Sequence, residues 1–203
     1  MFYATATSGE RIGAAPGASA SCPSCAADVQ PKCGAIVSWH WAHAARNDCD
    51  PWAEPDSSWH RAWQEAVPPE RREVVRGSHR ADIVSADGWV VELQHSSIPP
   101  AEIAEREAFY GPRMMWVFDA SEPWQEERLD LRKMEHLPGN RRYVTFRWKH
   151  PRTSIGHCRR RVLLDLGDDW LLSLRRIYLG GRCGGWGYAF PSEHFREWLA
   201  GAT

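Results

Sequence analysis

The sequence predicts a mixed α+β fold built on a mixed sheet, preceded by a small module rich in cysteine and histidine. Three observations predict it. From Ser57 onward, hydrophobic spacing runs in the order helix, three strands, helix, strand. Upstream, Cys22-Pro23-Ser24-Cys25 and His40-Trp41-Ala42-His43 lie in a stretch too polar and too short to bury a core of its own. Downstream, further strand patterns, a second hairpin and a terminal helix follow.

Residues 8–21, rich in Gly, Ala and Ser, read as a loop or loose lead-in. Residues 47–57 read as a linker, with Ser57 or Ser58 placed to cap a helix. Trp59, Ala62, Trp63 and Ala66 have helical spacing, and Pro68-Pro69 end that helix. Glu73–Arg76, Ala81–Ser85 and Trp89–Gln94 are strand candidates, the last two joined by the hairpin signal Asp87-Gly88. Pro99 and Pro100 suit the first turn of a helix reaching about Tyr110. Gly111-Pro112 then leads into an apolar strand, Arg113–Asp119. Residues 122–136 read as helix and Tyr143–Lys149 as strand. Arg161–Leu166 and Trp170–Tyr178 read as a hairpin turned at Gly167-Asp168-Asp169. Gly180–Gly187 reads as a glycine-rich loop, and Ser192–Ala200 as a helix capped by Ser192. The expected domains are 1–50 (metal module), 51–120 (core) and 121–203 (an extension packed on the core).

Composition narrows the function classes. A hydrophobic share of 43% and a charged share of 25% over 203 residues are those of a globular protein. No apolar run approaches the roughly 20 residues that span a bilayer. The N-terminus lacks a basic flank and an apolar core, so no signal peptide is expected, and the cytoplasm is the expected compartment. There a disulfide framework is disfavoured, and metal binding is the better use of paired cysteines. A net charge of −1 requires any nucleic-acid surface to be a local basic patch. Arg141, Arg142, Arg147, Lys149, Arg152 and Arg159–Arg161 supply such a bias in the second half. No Gly-Lys-[Ser/Thr] follows the glycines at 180–187, so no nucleotide cofactor is expected.

Cys22 and Cys25, then fourteen residues, then His40 and His43, offer the four thiolate and imidazole ligands of a structural Zn²⁺. The histidine pair is tighter than the usual spacing, and Cys33 and Cys49 stand as substitute ligands. His157-Cys158 with Cys183 has no specific spacing, and isolated buried thiols are the preferred reading there. Trp39 and Trp41 could stack on bases, although most of 12 tryptophans must be core.

In a strand, residues two apart share a face, so Glu92 and Gln94 point the same way. If the Asp87-Gly88 hairpin forms, Asp82 comes near Glu92, and two carboxylates suffice for a divalent cation that keeps several waters. Ordinary solvent-facing strand carboxylates are the competing reading.

Glu92-Leu93-Gln94-His95-Ser96-Ser97-Ile98, followed by Ile103-Ala104-Glu105-Arg106-Glu107-Ala108-Phe109-Tyr110, resembles the signature of CoiA-like competence nucleases, proteins with a PD-(D/E)XK core. His79-Arg80-Ala81-Asp82-Ile83 is similar to the same family's preceding strand, and Asp56-Ser57-Ser58-Trp59-His60 with Trp63-Gln64 to its first core helix. The Cys-Pro-x-Cys and His-Trp-Ala-His segments also resemble that family's, which supports the same four zinc ligands.

The resemblance implies a DNA-hydrolysing enzyme with Mg²⁺ or Mn²⁺ held by Asp82 and Glu92. Gln94 stands where the commonest motif has lysine, and its amide can orient water or meet phosphate. Arg106 and Tyr110, one helical turn apart, would contact DNA phosphate or brace the carboxylates, with Arg80 a third DNA contact. His60 would point from the first helix into the same pocket. Gln64 and Asp56 depart from the lysine and glutamate common in related sequences. The competing readings are a surface ion pair for Arg106, core filling for Tyr110 and a satisfied helix-start residue for His60. Implied partners are DNA and proteins of recombination or DNA uptake, with no membrane. A nuclease-like fold that binds DNA without cutting is the alternative.

Overall fold

A computed structural model of the chain describes residues 1–35, 38–44, 49–52, 57–181 and 183–201. They form two compact units, Met1–Ile83 and Val84–Thr203. Among the described residues, no helix is long and apolar enough to cross a membrane.

The first unit opens with β1 (Tyr3–Thr5), β2 (Arg11–Gly13), β3 (Ala20–Ser21), β4 (Asp28–Lys32) and β5 (His40–His43). They make an antiparallel sheet in the order β2-β1-β3-β4-β5. The expected lead-in at 8–21 thus contributes two short strands, which pair with a third that begins at Tyr3. Ala4, Ala20, Cys22, Val29 and Trp41 form a small buried cluster. Two of the five come from outside 22–49, so the module borrows part of its core from the preceding chain. Trp41 is 1% exposed and unavailable to any base, whereas Trp39 is 47% exposed.

Helix α1 (Ser58–Gln64) follows, its N-cap Ser57 accepting from His60 N. It ends before Pro68-Pro69. The expected linker at 47–57 lies largely outside the described residues, as does Asp56. Strands β6 (Arg72–Arg76) and β7 (His79–Val84) then pair antiparallel, Val74 opposite Ala81. Glu73 is buried with φ +45°, and its Oε2 accepts from Phe2 N and Tyr3 N at 2.9 and 3.0 Å, tying β6 to β1.

The second unit holds β8 (Val90–Gln94), α2 (Pro100–Tyr110), β9 (Met114–Asp119), α3 (Ser121–Gln125), β10 (Leu129–Leu137), β11 (Arg141–Trp148), β12 (Arg161–Asp165), β13 (Trp170–Tyr178), β14 (Gly184–Pro191) and α4 (Ser192–Ala200). Its sheet runs β10-β11-β14-β13-β12-β9-β8. The β8-β9 and β9-β12 pairs are parallel and the rest antiparallel, which makes the sheet mixed. Parallel β8 and β9 need a crossover, and α2 supplies it. The order helix, three strands, helix, strand is present as expected. The Asp87-Gly88 turn forms as well: Ser85 N donates to Trp89 O at 2.9 Å, with Gly88 at φ +85°.

Three expectations fail in the second unit. Residues 122–136 are not one helix, because α3 stops at Gln125, Glu127 takes φ +54°, and β10 follows. Most side chains of β10 are exposed, so the strand carries no alternation to read. It exists because the Pro138-Gly139-Asn140 turn, with φ +72° at Gly139 and +53° at Asn140, folds it onto β11. Gly180–Gly187 is not all loop, since β14 begins at Gly184. A Cβ at Gly184, Gly185 or Gly187 would lie 2.0–2.3 Å from a carbonyl oxygen of an adjacent strand. Gly185→Ala is therefore expected to destabilise the protein by about 1–3 kcal/mol, the usual cost of overpacking, as a lowered thermal midpoint. Finally, Ser192 is the first residue of α4 rather than its cap; its N–H donates to Asp169 O at 2.7 Å.

Candidate metal centre and carboxylate site

Cys22, Cys25, His43 and Cys49 converge so that one ligand atom from each lies within 4.8 Å of all the others. Cys22 Sγ is 3.5 Å from Cys49 Sγ, and Cys25 Sγ is 3.3 Å from His43 Nε2. A Zn–S bond of about 2.3 Å puts tetrahedral ligand atoms about 3.8 Å apart. The thiols are all free, and the 3.5 Å between Cys22 and Cys49 is a non-bonded spacing that suits ligands around one cation. A Cys₃His set of this kind could hold a zinc ion, as a cross-link between the Cys-Pro-Ser-Cys loop, β5 and the segment after it.

Local electrostatics agree. Burial pushes the Cys22 thiol up, but N–H groups of Cys25 and Ser24 and the thiols of Cys49 and Cys25 outweigh it, and the net shift is downward. Burial and the neighbouring Cys22 and Cys25 push Cys49 up to about 12. Crowded thiols resist sharing negative charge, and a bound cation would reverse that for all of them.

His40, expected as a ligand, is not in this group; Cys49 takes the fourth position. The reason is strand geometry. His40 and His43 lie three apart on β5, and residues an odd number apart on a strand face opposite ways. His40 Nδ1 instead pairs with Ser38 O at 2.8 Å. Cys49 is held by its neighbour. The buried Asp50 carboxylate takes His79 Nδ1 at 2.9 Å, Arg80 N at 2.8 Å and Trp52 N at 3.1 Å, and Trp52 stacks on His79 with ring centroids 3.2 Å apart. Among the described residues, His157, Cys158 and Cys183 form no metal-competent group. Burial, with Glu107 nearby, pushes Cys158 up to about 12, as for an inert structural thiol.

The predicted catalytic residues fall in both units. In the first, Asp82 is half-buried on β7. Arg80 Nε is 3.7 Å from Glu73 Oε1, and its side chain is 11% exposed. Burial lowers its pKa, but Glu73, Asp82 and Asp50 outweigh that and raise it, so its charge is balanced by local carboxylates. His60 is buried, and its Nδ1 lies 2.9 Å from Ser57 Oγ, a partner within the helix cap.

In the second unit, Glu92 and Gln94 are both buried on β8, at 2% and 1% exposure. Arg106 Nη1 donates to Glu92 Oε2 at 2.7 Å, while its Nε and Nη2 donate to Glu102 Oε1. Arg106 thus pairs both with Glu92 across the fold and with its helix neighbour Glu102, the partner of its competing ion-pair reading. Gln94 Nε2 donates to Ser96 O at 3.2 Å. Tyr110 is partly buried at the end of α2, its ring edge-on to Phe109. The basic residues of the second half divide their roles. Arg142 lies over Trp170, Arg152 donates to Gln94 O and Ser96 O, and Arg147 and Lys149 are exposed.

Two carboxylates escaped the sequence reading. Glu107 is buried and accepts from Arg159 N, Arg160 N and Trp116 Nε1 at 3.0–3.1 Å, so it holds the chain ahead of β12. Asp119, at the end of β9, pairs with His95 Nδ1 at 2.7 Å and accepts from Ser121 N and Oγ. Burial raises the Asp119 pKa, but the Ser121 hydroxyl and N–H and His95 outweigh it and lower it. The signal lies in the parallel register Gln94 to Phe118, which brings the next residue of each strand together; the chain alone does not announce that pairing.

Residues 18–51 match the family model described as competence protein CoiA, N-terminal domain. The matched span contains all four residues of the Cys₃His group. No curated protein and no solved structure matches the chain. This N-terminal segment is similar to the N-terminal domain of competence protein CoiA.

Proposed function

We propose that this chain is a metal-dependent nuclease that hydrolyses DNA phosphodiester bonds in a competence-related setting, with its N-terminal sheet stapled by Zn²⁺. The N-terminal match supports the setting. The observation that carries the chemistry is the buried Glu92 carboxylate braced by Arg106. Burying a carboxylate costs several kcal/mol, and a strand carboxylate with no task would face water. The ion pair offsets that cost and fixes the carboxylate in one orientation.

The proposed ligands are Asp82 and Glu92, both oxygen donors suited to Mg²⁺ or Mn²⁺. Such an ion, when bound, supplies positive charge that polarises a phosphate and activates water. Gln94 shares the face of Glu92 on β8 and would orient that water through its amide, with no proton of its own to give. Arg106 holds Glu92 in place and acts as a positioning residue.

Mn²⁺ titration of the zinc-loaded protein tests this reading. The wild type is expected to bind one Mn²⁺ that Asp82→Ala and Glu92→Ala each lose, with the zinc content unchanged. Mn²⁺ binding that ignores both substitutions would refute the assignment and favour a fold that holds DNA without cutting it.

A further inference from the structure

The outer face of the antiparallel half of the second unit's sheet has a composition that the cleavage reading does not use. On β11, Val144, Phe146 and Trp148 are buried, so Tyr143, Thr145 and Arg147 point the other way. Register places Tyr188 and Trp186 of β14 opposite Tyr143 and Thr145. Tyr143, Trp186 and Tyr188 form a three-ring cluster with centroids 5.8–6.2 Å apart, each ring partly exposed. A bulge in β13 turns Arg175 over Tyr188, 5.3 Å from its centroid, and Arg176 lies opposite Trp186.

The charge on this face is positive. Its acidic side chains, Asp130 and Glu135, pair with Arg132 and Lys133 of their own strand at 2.7 Å. Arg147, Arg175 and Arg176 are exposed and have no carboxylate partner among the described residues. Cross-strand packing alone explains three aromatic rings. It does not explain the surplus of guanidinium groups around them, of which Arg147 alone has a carboxylate residue, Asp130, opposite it in the register.

We infer that this face binds single-stranded DNA, with bases stacked on Tyr143, Trp186 and Tyr188 and phosphates met by Arg147, Arg175 and Arg176. Stacking needs exposed base faces, which a duplex hides, and arginines beside the rings suit a flexible polyanion. Register puts Glu92 on the opposite face: Glu92 aligns with Trp116 and Val162, then Leu164 with Leu172, Ala189 and Arg142, the neighbour of Tyr143. The platform is therefore a holding surface distinct from the proposed cleavage site, and it stands whether or not the chain cuts.

The test is fluorescence anisotropy with labelled oligothymidylate of about 20 nucleotides, a length suited to a strand-binding face. Zinc-loaded protein is used with no Mg²⁺ or Mn²⁺ added, so cleavage does not enter. The oligothymidylate is expected to bind at least about tenfold more tightly than a duplex of equal length, and Tyr143→Leu with Tyr188→Leu to weaken it by about tenfold or more. Changing Arg147, Arg175 and Arg176 to Gln is expected to flatten the salt dependence by about 0.7 in log–log slope for each phosphate no longer neutralised. These surface changes remain informative if the ring variants fail to fold. Equal binding of duplex, or arginine variants with an unchanged affinity and salt slope, would overturn the inference. Tighter binding of oligouridylate than of oligothymidylate would overturn the assignment to DNA.

Discussion

Cys49→Ser is expected to release zinc, whereas His40→Ala is expected to keep it. The first unit's N-terminal sheet has strands of two to five residues and a buried cluster of five side chains, two of them alanines. A core of that size contributes little stability by itself. Structural zinc in small modules contributes about 10–16 kcal/mol of apparent binding free energy, most of which appears as folding. Loss of any of Cys22, Cys25, His43 or Cys49 should therefore lower zinc content by about tenfold or more and broaden or abolish the unfolding transition of this sheet. Zinc per chain by elemental analysis, followed by thermal melting with and without a chelator, reads both effects. Acid should act in the same direction, because zinc binds deprotonated ligands and protons compete with it for them. The reverse pattern, with His40→Ala empty and Cys49→Ser fully loaded, would show that the two histidines bind together and that β5 is not a strand there.

Arg106→Ala is expected to cost about 3–5 kcal/mol, because it removes the cation facing a buried carboxylate and leaves that charge in a low-dielectric site. Glu92 is 2% exposed, and Glu102 shares the same guanidinium. Arg106 also lies 5.9 Å from the centroid of Trp116, so packing is removed along with charge. A drop of about 10 °C in thermal midpoint is the corresponding readout. Arg106→Lys keeps the charge but not the fork and should fall between. Glu92→Gln in the Arg106→Ala background should recover part of the loss, since the double variant buries no lone charge. A single Arg106→Ala variant as stable as wild type would mean that the pair is solvated and that Glu92 is an ordinary surface carboxylate.

The sequence made the first core helix, the three strands after it, α2 and β9 legible because each has a local cause. Ser57 caps α1, Asp87-Gly88 turns the chain into β8, Pro100 opens α2 and Gly111 closes it. It misled where the cause is tertiary. The residues of β10 are exposed and charged and take strand form only because β11 lies beside them. The glycines of β14 look like a loop until the neighbouring carbonyl oxygens are in place. In the metal centre the two cysteines and His43 were legible by spacing, and Cys49 stood only as a substitute. The choice between His40 and Cys49 depends on the parity of a strand and on the anchoring of Asp50 by His79 and Arg80. The His95–Asp119 pair and the aromatic face both arise from strand register, which no local pattern encodes.

The most direct test of the proposed activity is cleavage of circular and linear DNA, single- and double-stranded, by the zinc-loaded protein with Mg²⁺ or Mn²⁺. The account predicts metal-dependent cutting by the wild type and none by Asp82→Ala or Glu92→Ala, with both variants folded and retaining zinc. Wild-type protein that binds DNA yet cuts none of the four substrates, or variants that cut as well as wild type, would contradict it.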